Sequence, residues 1–149
     1  MGSYKEIKGD LLALAKEGKF DYIAHGANCF QTMGAGIALG IKKEFGMAFL
    51  ADHKDKREPI SRLGDFTYHD YSELGLYVVN LYTQFQPGPN LDYIALELCL
   101  KKLAVFTSGK RVGLPLIGCG IAGGDWKKVK KLIKKHLSRA DVTIVIFDK

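Results

Sequence analysis

Two glycine-rich segments hold most of the chemistry that this chain advertises. The first, Ala27-Asn28-Cys29-Phe30-Gln31-Thr32-Met33-Gly34-Ala35-Gly36-Ile37-Ala38, follows an apolar strand-like stretch and opens a helical pattern. Gly34 and Gly36 allow positive φ and a close approach of backbone to a bound group. The first turn of the helix beyond them presents N–H groups without intrahelical acceptors. The second segment, Pro115-Leu116-Ile117-Gly118-Cys119-Gly120-Ile121-Ala122-Gly123-Gly124-Asp125-Trp126, also runs from a strand into a helix, with four glycines in seven residues. The helix start after it points the same kind of positive field at the loop. Backbone of this kind favours an anion, and two such loops suit a diphosphate.

One glycine-rich turn is as often a tight connection as a phosphate site, so the inference rests on the pair. Neither loop ends in the Gly-Lys-Ser/Thr of a P-loop. Gly34-Ala35-Gly36 also lacks the third glycine and the downstream acid of the dinucleotide fingerprint. Polar side chains flank both loops. A neutral imidazole at His25 suits proton transfer, and equally suits a hydrogen-bonded place in the core. The amide of Asn28 donates and accepts at once. Asp125 either orients water or caps the helix that starts at Trp126. His53, His69 and His136 have no partner pattern. Cys29 and Cys119 read as small packing side chains, since no base is paired with either.

The elements that must position these residues alternate in type. Strand-like segments run over Tyr4 to Lys8, Tyr22 to His25, Leu63 to His69, Leu76 to Tyr82, Arg111 to Leu114 and Val142 to Phe147. Helical patterns cover Gly36 to Phe45, Tyr93 to Phe106 (with Ile94, Leu98 and Val105 near one face) and Trp126 to Leu137, with a shorter one around Phe49 to Lys56. This order predicts an α/β fold. The connection from Asp70 to Gly75 is too short for a helical crossover, so the strands on either side of it are expected to be antiparallel in an otherwise parallel sheet.

At 149 residues the chain matches one domain, 1–149, able to bury a core without metal or disulfide support. No stretch approaches the roughly 18 apolar residues of a membrane span, and no leader-like apolar segment opens the chain, so a soluble, cytoplasmic protein is expected. Three widely spaced cysteines indicate neither a disulfide framework nor a metal site. The net charge of +6 would suit a polyanion. Much of the excess lies between Lys127 and Lys135, where Trp126, Val129, Leu132, Ile133 and Leu137 share the opposite helical face. The lysines are read as the solvated side of a surface helix rather than as a nucleic-acid patch, because neither aromatic interleaving nor a binding motif accompanies them.

Taken together, the two loops and their flanks resemble the macrodomain family. The matching residues are Gly9-Asp10-Leu11, then His25 and Asn28 ahead of Met33 to Ala38, the whole of Pro115 to Trp126, and Phe147 at the end of the last strand. The resemblance spans nearly the whole chain and is nearest to small single-domain proteins that process ADP-ribose 1″-phosphate or remove ADP-ribose from carboxylate side chains. It implies a three-layer α/β domain with a mixed, mostly parallel sheet and helices on both faces. It implies ADP-ribose or a derivative as ligand, an ADP-ribosylated protein as a further partner, a monomer, and no cofactor or metal.

The resemblance also implies roles for single residues. Asp10 would accept from the adenine amino group, with Leu11 beside it, while an N-cap for Leu11 to Lys16 is compatible with that role. Phe147 would stack on adenine or else fill the core. Asn28 would contact the distal ribose. Gly34, Ala35, Gly36 and Ile37, with Gly118, Cys119, Gly120, Ile121, Ala122 and Gly123, would hold the phosphates through backbone N–H groups. For catalysis, hydrolases of this branch carry a lysine near Asn80 to Gln84 and an aspartate near Ala122, where this chain has Thr83, Gln84 and Ala122. His25 instead matches a histidine of fungal-type ADP-ribose 1″-phosphate phosphatases. His25, Asn28 and Asp125 are therefore the expected catalytic set, with recognition of ADP-ribose without turnover as the alternative.

Overall fold

The computed structural model describes residues 2–34 and 36–147. In chain order the elements are β1 (Ser3–Gly9), α1 (Leu11–Lys16), β2 (Tyr22–Asn28), α2 (Gly36–Glu44), α3 (Gly46–Lys54), α4 (Pro59–Arg62), β3 (Phe66–Tyr71), a 3-10 turn (Ser72–Leu74), β4 (Leu76–Gln84), α5 (Tyr93–Thr107), β5 (Arg111–Leu114), α6 (Trp126–His136) and β6 (Asp141–Phe147). The strands form one sheet in the order β1-β6-β5-β2-β4-β3. All neighbours are parallel except β3 and β4, which pair antiparallel from Phe66 opposite Leu81 to Tyr71 opposite Leu76.

Alternation along the strands divides the core in two. Val79, Leu81, Val142 and Ile144 face α5 and α6, packing with Leu96, Leu100, Val129 and Ile133. Ile23, Leu76, Val78 and Val145 face α1, α2 and α3, packing with Leu12, Ala15, Ile41 and Ala48. The central strand β4 is covered on both sides and is buried at every position but Tyr77, as strands inside a parallel sheet are. The result is a three-layer α/β domain with a mixed sheet.

One expectation changes and another gains a direction. The strand predicted from Leu63 begins at Phe66, because Gly64 takes φ +83° and Asp65 donates back to the carbonyl of Arg62, closing a turn. On α5, Ile94, Leu98 and Val105 share one face, and it is the outer one. They are exposed, and the buried arc is Ala95, Leu96, Cys99, Leu100 and Leu103. Apolar residues occur on both arcs of the helix. Among the described residues no helix is long and apolar enough to cross a membrane.

Candidate functional site

A cavity of about 420 Å³ opens at the C-terminal ends of β2, β4 and β5. Parallel sheets bind ligands at that edge, because the helices that follow the strands start there. Its walls are the two glycine loops, its floor includes Gly26 and Thr83, and one rim is the Pro87–Gly88 turn.

The first loop starts at Asn28, whose side chain organises it. The amide nitrogen donates to the Thr32 carbonyl at 3.1 Å and to its hydroxyl at 2.7 Å, and the amide oxygen accepts from Phe30 N–H at 2.9 Å. Gln31 holds φ +61°, the left-handed region that costs a non-glycine residue. Its side chain offsets that cost by donating to the carbonyls of Asp52 (2.5 Å) and Asp55 (3.0 Å). The buried Arg62 donates to the carbonyl of Cys29 and to that of Asp55 at 2.9 Å, and pairs with the Asp55 carboxylate at 3.4 Å. Arg57 also grips that carboxylate and holds its pKa down to about 2. The loop then enters α2 at Gly36, φ +57°, and Gly36, Ile37 and Ala38 of the first turn line the cavity.

The second loop is closed by its own backbone. Gly124 N–H donates to Gly118 at 2.7 Å, Gly123 to Gly120 at 3.1 Å and Cys119 to Leu116 at 3.1 Å. Gly118 and Gly123 need positive φ, and a Cβ on Gly118 would meet Leu91 at 2.8 Å. Among the described residues, Gly120, Ile121 and Ala122 donate their N–H to no other backbone group and stand at the cavity wall. Unpaired N–H groups therefore come from the second loop and from the first turn of α2. The start of α6 does not contribute as expected. Asp125 caps it, accepting from Lys127 N–H at 2.9 Å, and the first turn of α6 is not in the cavity wall.

Of the residues singled out from sequence, Asn28, Gly34, Gly36, Ile37, Gly118, Gly120, Ile121 and Ala122 line the cavity. Cys119 and Gly123 belong to the second loop but are not among the lining residues, and Ala35 lies outside the described residues. Asp10 caps α1 through one carboxylate oxygen, accepting from Leu12 (3.0 Å) and Ala13 (3.2 Å), and its side chain is exposed. Leu11 points into the core. Phe147 is 67% exposed, so the core alternative does not hold for it. Asp10 and Phe147 stand at the same sheet edge as the cavity but outside its lining, where Gly9 pairs with Phe147.

His25 does not reach the cavity. Gly26 lines its floor, and the residue next to it on a strand turns to the other side of the sheet. The His25 ring is fully buried there, with Nε2 2.7 Å from Asn80 Oδ1. Asn80 donates to Ala48 O and to Thr67 Oγ1, so its oxygen is the acceptor and His25 carries its proton on Nε2. Burial pushes the imidazole pKa down. The placement does not suit proton transfer to a ligand, and the exposed Asp125 is occupied as a cap. Thr83 and Gln84 are lining residues that sequence reasoning passed over as substitutes. The Thr83 hydroxyl is buried without a partner among the described residues, and Gln84 donates to Gln86 O and Gly88 O, shaping the rim. Their signal was position, as the last two residues of a central strand. Among the described residues no side chain in the cavity wall is ionisable, and no cluster of three His, Cys, Asp or Glu is arranged to hold a metal.

Comparison with known proteins gives a consistent picture. The Macro domain family model matches residues 24–133. An uncharacterized 17.5 kDa protein from the tk-vs intergenic region of Enterobacteria phage T4 is 38% identical over 148 residues, covering 95% of this chain and 94% of that protein. The human ADP-ribose glycohydrolase OARD1 is 28% identical over 145 residues, covering 95% and 88%. Among solved structures, the macrodomain of Mycobacterium tuberculosis DarG superposes with a TM-score of 0.79 at 23% identity, covering 97% of this chain and 98% of that one.

Proposed function

The chain belongs to the Macro domain family, and from that premise we propose that its cavity binds ADP-ribose or a close derivative, with the diphosphate between the two glycine loops. The observation that carries this reading is the wall itself. Among the described residues, unpaired N–H groups of Gly120, Ile121 and Ala122 and of the α2 first turn border one space lined by no competing carboxylate. The adenine end extends toward Asp10 and Phe147, where the second carboxylate oxygen of Asp10 is left over from capping and Phe147 offers an exposed ring. The terminal ribose lies at the Asn28 and Thr83 end.

Recognition without turnover is the reading that the geometry favours, because among the described residues the wall offers no side chain able to move a proton near neutral pH. Hydrolysis of ADP-ribose 1″-phosphate or of a protein-linked ADP-ribosyl bond is the second reading, supported by the likeness to a relative that is an ADP-ribose glycohydrolase. In that case ligand oxygens and the amides of Asn28 and Gln84 would orient the water.

Calorimetry with ADP-ribose is expected to give micromolar affinity, about −8 kcal/mol. AMP should bind more weakly, since it lacks the distal ribose. Gly120→Glu should abolish binding while leaving the fold intact, since nothing lies within 4 Å of an added Cβ there. No heat at millimolar ADP-ribose would remove the proposal. Incubation with ADP-ribose 1″-phosphate and with ADP-ribosylated protein, followed for phosphate and ADP-ribose, separates the two readings.

A further inference from the structure

The positive charge of this protein resides on one helix. The chain has 22 lysines and arginines against 16 aspartates and glutamates. α6 alone carries six lysines, at 127, 128, 130, 131, 134 and 135, with no acid, so the remainder holds 16 of each sign. At 3.6 residues per turn the six form one continuous arc of about 160°. The opposite face is sealed against the sheet by Val129 and Ile133.

This arrangement works against the helix. Lysines 127 and 131, 130 and 134, and 131 and 135 are like-charged neighbours one turn apart, and such pairs destabilise. Lys127 and Lys128 also sit in the first turn, where the helix dipole disfavours cations. Compensation is sparse: Lys130 meets Glu6 at 3.2 Å and Lys135 meets Glu97 at 3.6 Å. Three ammonium groups rest over aromatic rings, Lys128 on Tyr93 at 5.4 Å, and Lys130 and Lys134 on Tyr4 at 5.6 and 4.7 Å. Those contacts hold the row in place without neutralising it. A mixed-sign surface would fold with less repulsion, so a row of one sign points to an anion outside the molecule.

We propose that the lysine face of α6 binds the phosphate backbone of a nucleic-acid duplex without reading its sequence. The partner must present dense, regular negative charge, which a duplex does at about one charge per 1.7 Å of axis. A membrane surface fits less well, since the apolar face of α6 is already buried and cannot insert. An acidic protein fits less well, because the exposed residues of this helix are lysines and offer no apolar anchor. A single strand would call for free aromatic platforms, and the rings of Tyr4 and Tyr93 are covered by lysines. The missing aromatic interleaving that argued against nucleic acid at the level of sequence bears on base stacking, not on backbone contacts. This proposal stands apart from the cavity and survives if ADP-ribose fails to bind.

The test is fluorescence anisotropy of a labelled mixed-sequence DNA duplex of roughly 20 base pairs, about two helical turns, titrated with the protein over a range of salt concentrations. Affinity should fall with salt, with a log–log slope of about −0.9 for each phosphate engaged. Lys131→Gln with Lys134→Gln should weaken duplex binding roughly tenfold at low salt and make that slope shallower by about 2. The same pair should leave the thermal shift with ADP-ribose unchanged. Lys54→Gln with Lys56→Gln, equal in charge but at the end of α3, should change duplex affinity less than about twofold. Equal losses in both pairs would show diffuse charge and overturn the assignment. Absence of binding at low salt would overturn it too, as would tighter binding of a single strand, of poly-glutamate or of anionic vesicles.

Discussion

The two loops that wall the cavity present backbone N–H groups to one space by opposite means. The first is held by side chains: Asn28 bonds Thr32 and Phe30 within it, Gln31 reaches the carbonyls that end α3, and Arg62 of α4 reaches back to Cys29. The second is held from within, by short backbone bonds among Leu116 to Gly124 and by glycines that let Leu91 lie against it. A loop held by side chains fails when those side chains are lost. A self-closed loop needs no anchor but depends on its own glycines.

The largest expected effect comes from cutting the anchor of the first loop. Arg62→Ala leaves the Cys29 carbonyl without a donor, leaves the Asp55 carbonyl with Gln31 alone and weakens the Asp55 pair, although Arg57 still holds that carboxylate. Breaking a buried ion pair costs about 3 to 5 kcal/mol, and the surviving Arg57 contact puts this case near 3. Urea unfolding should register it, and ADP-ribose affinity should fall in whatever folded protein remains. A loss under about 1 kcal/mol would mean that the first loop, like the second, closes itself.

Next in size is Gly118→Val. The left-handed φ of +71° and the Leu91 contact combine to cost roughly 2 to 4 kcal/mol in stability. Gly36→Ala, also at positive φ but with nothing within 4 Å of its Cβ, should cost only about 1. The difference between the two, read by thermal unfolding, measures how much of the second loop depends on close packing rather than on backbone conformation. Equal losses would remove packing from the account.

These contrasts also mark how much was legible in the sequence. Glycine spacing disclosed both loops, and the strands and helices around them came out near their observed ends, because β-branched runs and apolar periodicity are local signals. The anchors were not legible, since Arg62 and Cys29 are 33 residues apart and nothing local links them. For His25 the sequence leaves proton transfer and a hydrogen-bonded place in the core both open, and its ring lies in the core. With Gly26 in the cavity floor, period-two alternation turns His25 to the other face. On α5 no rule was available, because apolar residues occur on both its arcs.

The first loop also leans on a buried polar chain that acid can break. His25 donates to Asn80, Asn80 to Thr67, Thr67 to the Tyr82 hydroxyl, and Tyr82 to Asp52, whose carbonyl accepts from Gln31. Burial lowers the pKa of His25 in the folded protein, so the unfolded chain takes up its proton first as pH falls. Stability is therefore complete above the unfolded value of about 6.5 and declines below it, by up to about 1.4 kcal/mol per pH unit until the folded pKa is reached. Unfolding free energies measured from pH 7.5 to 5 should show the decline in the wild type and a flatter profile in His25→Gln. Identical profiles would mean that His25 is not the group responsible.

The smallest effect lies outside both loops and separates two roles of one carboxylate. Asp10 caps α1 through Oδ1, a task that asparagine performs as well, whereas the proposed adenine contact uses the charge on the other oxygen. Asp10→Asn should therefore leave stability within about 0.5 kcal/mol of wild type and weaken ADP-ribose binding by roughly 1 kcal/mol. Asp10→Ala should lose the cap as well, costing about 1 kcal/mol of stability, with binding reduced at least as far. Calorimetry on both variants beside thermal unfolding gives the four numbers required. If asparagine binds ADP-ribose as tightly as aspartate does while alanine is merely less stable, Asp10 is a helix cap only, and adenine recognition falls to the exposed ring of Phe147.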